Sequence, residues 1–181
     1  MSDKALIDAC LLGRSEVYEV LVRRHQQKVF NVLYRFLGNY EASQDLSQET
    51  FLTAYQKLDM FGGRSAFSTW LCQIALNKAR DMLRSNGVDS LCEDVADHSE
   101  TLVAADATRP DHRAEQGQAL ERIQGVLNRM PANYREVLIL KHLEEYSNKE
   151  IAVMLDETEE NVKVRTFRAR QMFKQLFGAL S

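Results

Sequence analysis

The chain has 181 residues, room for one medium domain or two small ones, and 45% of them are hydrophobic, enough to bury a core. Two prolines and eight glycines beside abundant Leu, Ala, Glu, Gln and Arg favour helices over sheet, and no apolar run approaches the roughly 20 residues that span a bilayer, so membrane insertion is not expected. The formal net charge of −3 is unevenly spread: between Val88 and Glu115 lie eight acids against Arg109 and Arg113 alone, and the remainder, with 21 basic and 18 acidic residues, carries +3.

The opening residues MSDKALIDAC lack a basic region followed by a long apolar stretch, so no signal peptide is expected and the protein is expected to be cytoplasmic. Ser15 can cap a helix whose apolar positions Val17, Val20, Leu21, Val29, Val32, Leu33 and Phe36 recur with a 3.6-residue period up to Gly38. A second helix is predicted from about Glu41 to Leu58, carrying Leu46, Phe51, Ala54, Tyr55 and Leu58. After the break DMFGGRS a third, from about Ser65 to Arg84, places Phe67, Trp70, Leu71, Ile74 and Met82 on one side. From Gly87 to about Glu115 periodicity fades and acids dominate, which reads as a flexible linker, with LVAADA able to form a short helical turn. Leu120, Ile123, Leu127 and Met130 then mark a helix stopped by Pro131, and Tyr134 to Leu143 another. Ser147 and Glu150 have the spacing of a capping box opening the short helix NKEIAVML. Asp156 stands where a left-handed turn residue is needed, and Thr158 can cap a last helix through about Phe177. Helix, tight turn and basic second helix make a helix-turn-helix pattern. The fold class expected is therefore all-α, two small helical domains joined by an acidic linker: 1–86, 87–115 and 116–181.

Between Lys163 and Lys174 the last helix carries Lys163, Arg165, Arg168, Arg170 and Lys174, Phe167 among them and no acid. Such a helix can enter the major groove, its first residues at base edges and its later cations on phosphates; a merely solvated basic face is the plainer reading. Asp45, Gln48 and Glu49 stand at i, i+3 and i+4 and share one helix face. Paired carboxylates can serve acid–base chemistry, yet no nucleophile and no metal-ligand spacing accompanies them, so a solvated or a protein-binding face is expected and no catalytic residue, metal or cofactor is assigned. In the third helix Gln73, Asn77, Arg80, Asp81 and Arg84 form a polar stripe, suited equally to DNA or to plain solvent. Cys10, Cys72 and Cys92 are an odd, widely spaced set, expected to be reduced, partly buried thiols. His25, His98, His112 and His142 are scattered; His98 and His112 lie beside acids in the linker and leave open an adventitious metal site.

Two long runs carry a resemblance. LVRRHQQKVFNVLYRFLGNYEASQDLSQETFLTAYQKLDMFGGRSAFSTWLCQIALNKARDMLR resembles the second conserved region of extracytoplasmic-function sigma factors of bacterial RNA polymerase. LNRMPANYREVLILKHLEEYSNKEIAVMLDETEENVKVRTFRARQMFKQL resembles their fourth region, and the two stand in the right order. The resemblance implies a promoter-specificity subunit that is not an enzyme. It implies that the face of Asp45, Leu46, Gln48 and Glu49, with Phe51 supporting it, binds the clamp coiled coil of the polymerase β′ subunit. It further implies that the loop from Phe61 through Arg64 to Ser65, with Trp70, Asn77, Arg80 and Arg84, melts and reads the minus-ten element of promoter DNA, where a flipped base can be held in a pocket. Glu160, Lys163, Val164, Arg165, Phe167, Arg168 and Arg170 would face the minus-thirty-five element. Tyr134 to Leu143 would lie near the β flap, and an anti-sigma factor would hold the protein inactive. Glu159, Glu160 and Asn161 replace the small and hydroxyl residues common before the recognition-helix valine, and Val164 stands where serine is frequent. An acid there suits the helix dipole but repels phosphate, or accepts from a cytosine amino group. Two rivals remain: a helix-turn-helix regulator that never touches polymerase, and a metal-dependent hydrolase using Asp45, Glu49 and a histidine.

Overall fold

Apolar residues at helical spacing dictate what forms, and caps dictate where it stops. The computed structural model describes residues 1–87 and 114–179, with side chains for 1–87 and 119–179, and among these residues the regular elements are helices and helical turns. Positions 88–113 of the predicted linker, with its LVAADA turn, Cys92, His98 and His112, fall outside the described residues, and α5 begins at Ala114, inside the bounds expected for the linker.

The first bundle opens with α1 (Asp3–Leu11), capped by Ser2 and burying Leu6, Ile7 and Ala9, a helix that the sequence pattern did not announce. A 3₁₀ turn over Ser15–Val17 leads into α2 (Tyr18–Leu37), so Ser15 starts the turn and not the long helix. Helix α2 ends at Gly38 in the left-handed conformation (φ 69°), which a residue without a Cβ adopts at least cost. Leu21, Val29, Val32, Leu33 and Phe36 are buried as expected, whereas Val20 is exposed. Helix α3 (Tyr40–Gln56) starts on Asn39, whose side chain accepts from the Ala42 N–H, and a 3₁₀ turn over Leu58–Met60 brings the chain to α4 (Phe67–Ser85). Phe36 is fully buried among these helices; cutting such a side chain to Ala costs about 3–5 kcal/mol.

The second bundle holds α5 (Ala114–Asn128), α6 (Ala132–Leu138), a π-type turn over Ile139–Leu143, α7 (Asn148–Leu155) and α8 (Glu159–Gly178). The capping box forms: Ser147 accepts from the Glu150 N–H, and the Glu150 carboxylate accepts from the Ser147 N–H at 2.9 Å. Asp156 takes the left-handed conformation (φ 56°, ψ 48°), and Thr158 caps α8 by accepting from the Asn161 N–H. The tight turn between α7 and α8 thus arises as read.

The bundles pack on one another through α2 and α4 on one side and α5, the π turn and α7 on the other. The last carbonyls of α2 have no partner within their own helix. The second bundle supplies partners: Gln124 donates to the Arg35 carbonyl at 3.1 Å and Arg135 to the Phe36 carbonyl at 2.6 Å. Asn128 comes so near Gly38 that a Cβ there would stand 2.6 Å from its side chain.

Candidate functional site

On α3, Asp45, Gln48 and Glu49 are exposed together, while Leu46 and Phe51 are 8% and 7% exposed and belong to the core beneath them. Leu46 and Phe51 therefore support the acidic face instead of presenting themselves. Glu49 receives a long contact from Lys78 on α4 at 3.3 Å. Beside the acids lies an apolar strip that the sequence reading missed: Leu52 and Tyr55 are 65% and 44% exposed. They border a groove whose other wall is Tyr18 and Val22 of α2. Tyr18 fixes that wall by donating its hydroxyl to the Phe51 carbonyl at 2.7 Å, and its ring lies 4.8 Å from that of Tyr55. Leu52 stands at i+4 from Gln48 and i+3 from Glu49, and an apolar residue on an otherwise acidic face was the available signal.

The loop Phe61 to Ser65 is propped by aromatic rings. Phe61 packs 5.4 Å from Phe67 and 5.2 Å from Trp70, edge-on and tilted, leaving Arg64 exposed at the loop. Farther along α4, Asn77 is exposed and accepts from Arg80 at 2.8 Å. Arg84 lies in solvent, 3.4 Å from Asp81. Trp70, Asn77, Arg80 and Arg84 thus mark a line running from the loop down the helix, with Arg80 turned aside: its Nε donates to Glu136 of α6 at 2.9 Å.

On α8, Val162, Thr166 and Ala169 face inward, which fixes the opposite side as the presented face. Lys163, Val164, Phe167 and Arg168 all lie on it, exposed; Glu160 stands exposed at its start and Arg170 is exposed beside it. Val164 and Phe167 are 50% and 62% exposed, large apolar contributions for a solvent face. Arg165 does not join them. Its guanidinium turns inward to Glu157, to the Asn133 carbonyl at 2.6 Å and to Glu136 at 2.8 Å, tying α8 to α6. Acids at the first turn and cations beyond give the presented face a change of sign along its length.

His25 pairs with Asp3 at 2.8 Å, and burial, ahead of Arg170 and Lys141, lowers the His142 pKa. Cys72 is buried, its thiol raised to about 11 by burial, partly offset by the hydrogen bond it shares with the Tyr146 hydroxyl. Among the described residues, no three His, Cys, Asp or Glu side chains stand close enough to hold a metal ion, and no helix is long and apolar enough to cross a membrane.

Two ordered domain matches decide the family: residues 21–88 match Sigma-70 region 2 and residues 120–173 match Sigma-70, region 4. The "ECF RNA polymerase sigma-E factor" of Haemophilus influenzae is 30% identical over 179 residues, covering 96% of this chain and 94% of its own. The chain belongs to the extracytoplasmic-function sigma factors. The sigma-E factor of Escherichia coli is similar at 31% identity, covering 94% of this chain and 92% of its own, and SigW of Bacillus subtilis at 30%, covering 90% of each. Among solved structures, CnrH in complex with the cytosolic domain of CnrY superimposes with a TM-score of 0.74 at 26% identity, over 99% of both chains. RpoE of Bartonella quintana, solved with the anti-sigma factor NepR, shares the fold at a TM-score of 0.67 and 22% identity, covering 89% of this chain and 96% of its own. As a sigma factor the chain binds core RNA polymerase and directs promoter recognition and transcription initiation. The regulator that never touches polymerase is not favoured by a match to region 2.

Proposed function

We propose that this sigma factor divides its work between three surfaces, and acts by binding and positioning in the compartment of the polymerase, the cytoplasm. Residues up to about 86 form the unit that grips polymerase and opens the minus-ten element; those from about 116 form the unit that docks on the minus-thirty-five element. The observation that carries this reading is the α3 face, where three exposed acidic or amide side chains adjoin exposed Leu52 and Tyr55. An apolar strip rimmed by charge is how protein-binding surfaces are built. A cationic stretch of the β′ clamp coiled coil fits it.

The loop of Phe61, Arg64 and Ser65 with Trp70 supports capture of an unstacked minus-ten base, since indole and phenyl faces stack on bases at about 1–3 kcal/mol each. On α8, Lys163, Arg168 and Arg170 suit phosphates, and Val164 and Phe167 suit thymine methyl groups in the major groove. Arg165 serves better as the residue that positions α8 than as a phosphate contact. The turn after α6 is the candidate for the β flap. CnrH and RpoE were each solved with a partner, the latter a named anti-sigma factor, and an anti-sigma partner is proposed here on that likeness.

Asp45→Ala with Glu49→Ala tests the central claim. The double variant should bind a β′ clamp fragment at least tenfold more weakly in isothermal titration, about 1.4 kcal/mol. Its circular dichroism and melting should stay as in wild type, because exposed changes of this kind cost within about 0.5 kcal/mol. Unchanged affinity would remove the α3 face from the proposal.

A further inference from the structure

Helix α4 begins without help from its cap. The Ala66 methyl accepts nothing from the free N–H groups of the first turn, whereas Ser2, Asn39, Ser147 and Thr158 do so for α1, α3, α7 and α8. The loop before it is pliant, with Gly62 followed by Gly63 at φ 66°. The angle at which the loop meets α4 is therefore set by the packing of Phe67, the first residue of that helix. Phe67 is buried, with the rings of Phe61 and Trp70 against it. A further partner comes from α2: the His25 ring meets that of Phe67 edge-on, with centroids 5.6 Å apart.

A polar side chain only 12% exposed needs a partner, and Asp3 of α1 supplies it. A carboxylate can only accept, so the imidazole Nε2 donates to Asp3 Oδ2 at 2.8 Å. The other oxygen of Asp3 takes Arg24 at 2.5 Å, and Arg24 also donates to the Met1 carbonyl at 3.1 Å. The carboxylate is thus held in place before it holds the imidazole. Helix α1 also touches the 3₁₀ turn Leu58–Met60 that leads into the loop. None of the residues assigned to DNA or to polymerase lies on α1. It nevertheless braces the loop at both ends, directly at Leu58–Met60 and through Asp3 and His25 at Phe67.

We infer that Asp3 and His25 are positioning residues for minus-ten recognition: Asp3 orients the imidazole, and the imidazole holds Phe67 so that Phe61 and Trp70 stay set to receive an unstacked base. The inference rests on the minus-ten reading of this loop and adds to it a part of the chain that touches no DNA. A pocket for a flipped base binds best when its rings are already ordered, because ordering them during binding subtracts from affinity. Rings keep such order when hydrogen bonds behind them lock their neighbours. Asp3 acts on the loop's far end only through the imidazole, so its effect on base capture disappears once the imidazole is gone.

The full chain assembled with core RNA polymerase tests this, titrated by fluorescence anisotropy with a labelled single-stranded oligonucleotide that the wild-type holoenzyme selects from a random pool. His25→Ala and Asp3→Ala should each weaken oligonucleotide binding by about two- to tenfold, the change in affinity that one aromatic pair is worth. Both should bind core polymerase and the β′ clamp fragment as wild type does, since Asp45, Gln48 and Glu49 lie elsewhere, on α3. His25→Phe, which keeps a ring against Phe67, should regain most of the affinity lost in His25→Ala. Adding Asp3→Ala to His25→Phe should cause no further loss, whereas a carboxylate that merely steadies the fold would subtract its share in either background. Unchanged oligonucleotide binding in both single variants would overturn the inference. So would losses that fall equally on core, clamp fragment and oligonucleotide, or losses that add in the double variant. A wild-type holoenzyme that selects no single strand would instead strike the minus-ten assignment of the loop, and the inference with it.

Discussion

Lys163 and Arg165 stand two positions apart on α8 with the same charge and opposite duties. Lys163 is exposed on the presented face, while Arg165 has an 18% exposed side chain between Glu136 and Glu157. Arg165→Ala should therefore destabilise the protein by about 3 kcal/mol in urea denaturation, the size of effect that follows when buried carboxylates lose their partner. Lys163→Ala should leave the denaturation midpoint alone and reduce the log–log salt slope of DNA binding by about 0.9, one phosphate contact. Fluorescence anisotropy at several salt concentrations reads the second effect; the reverse pattern for the two variants would exchange their roles. Glu160 shares the outward face, so Glu160→Gln should tighten binding to many sequences alike, as relief of phosphate repulsion does. A randomised minus-thirty-five library would register a change at one base pair instead if the carboxylate reads cytosine. Charge counting along this helix made its five cations look equivalent. The inward set Val162, Thr166 and Ala169 separates them, and Arg165 adjoins that set.

At the scale of single elements, sequence signals were most reliable where the chemistry is local. Ser147, Glu150, Asp156 and Thr158 lie within one short stretch, and each does what its side chain can do with the nearest backbone groups. The capping box brings a pH dependence. Hydrogen bonds from the Ser147 side chain and backbone, in that order, hold the Glu150 carboxyl below its ordinary value of 4.5. A lowered folded-state pKa means stability that is present above 4.5 and lost as pH falls through the folded value. Wild type should thus lose its advantage over Glu150→Gln as pH drops below about 4.5, followed by thermal denaturation across that range. At neutral pH the variant should be less stable by roughly 1 kcal/mol, the usual worth of a cap. An advantage constant with pH would show that the carboxylate form is not what the cap uses. Helix α1 escaped notice because nine residues with three buried positions give too short a periodic signal. The break of α6 into a π-type turn is a tertiary choice: the wider turn carries Glu144 to Arg35 and Tyr146 into the first bundle.

Over the whole molecule, the division into two helical units was readable from hydrophobic periodicity and from the acid-rich interruption between them. Their mutual packing was not, because it joins residues such as Cys72 and Tyr146, or Arg35 and Leu143, that periodicity cannot relate. Gly38 is the point where local and global demands coincide. It needs a left-handed φ to end α2 and lacks the Cβ that Asn128 would strike at 2.6 Å. Gly38→Ala should cost about 1–2 kcal/mol from backbone conformation alone. It should also loosen the contact with α5. Amide exchange in the last turn of α2 should then quicken, since the partners of the Arg35 and Phe36 carbonyls come from the second bundle. Protection equal to that of wild type would mean that the side chain of Asn128 yields without moving its helix.

Trp70 is the chain's one tryptophan, and its indole rests among Phe61 and Phe67 where the loop meets α4. The protein thus carries its own optical reporter at the candidate strand-opening surface. Ultraviolet emission from a lone indole shifts in colour and yield whenever its neighbours or its wetting change. Single-stranded DNA entering this loop should alter that signal, while duplex held by α8 alone should leave it dark to the event. Stopped-flow mixing could then time the melting step without any attached dye.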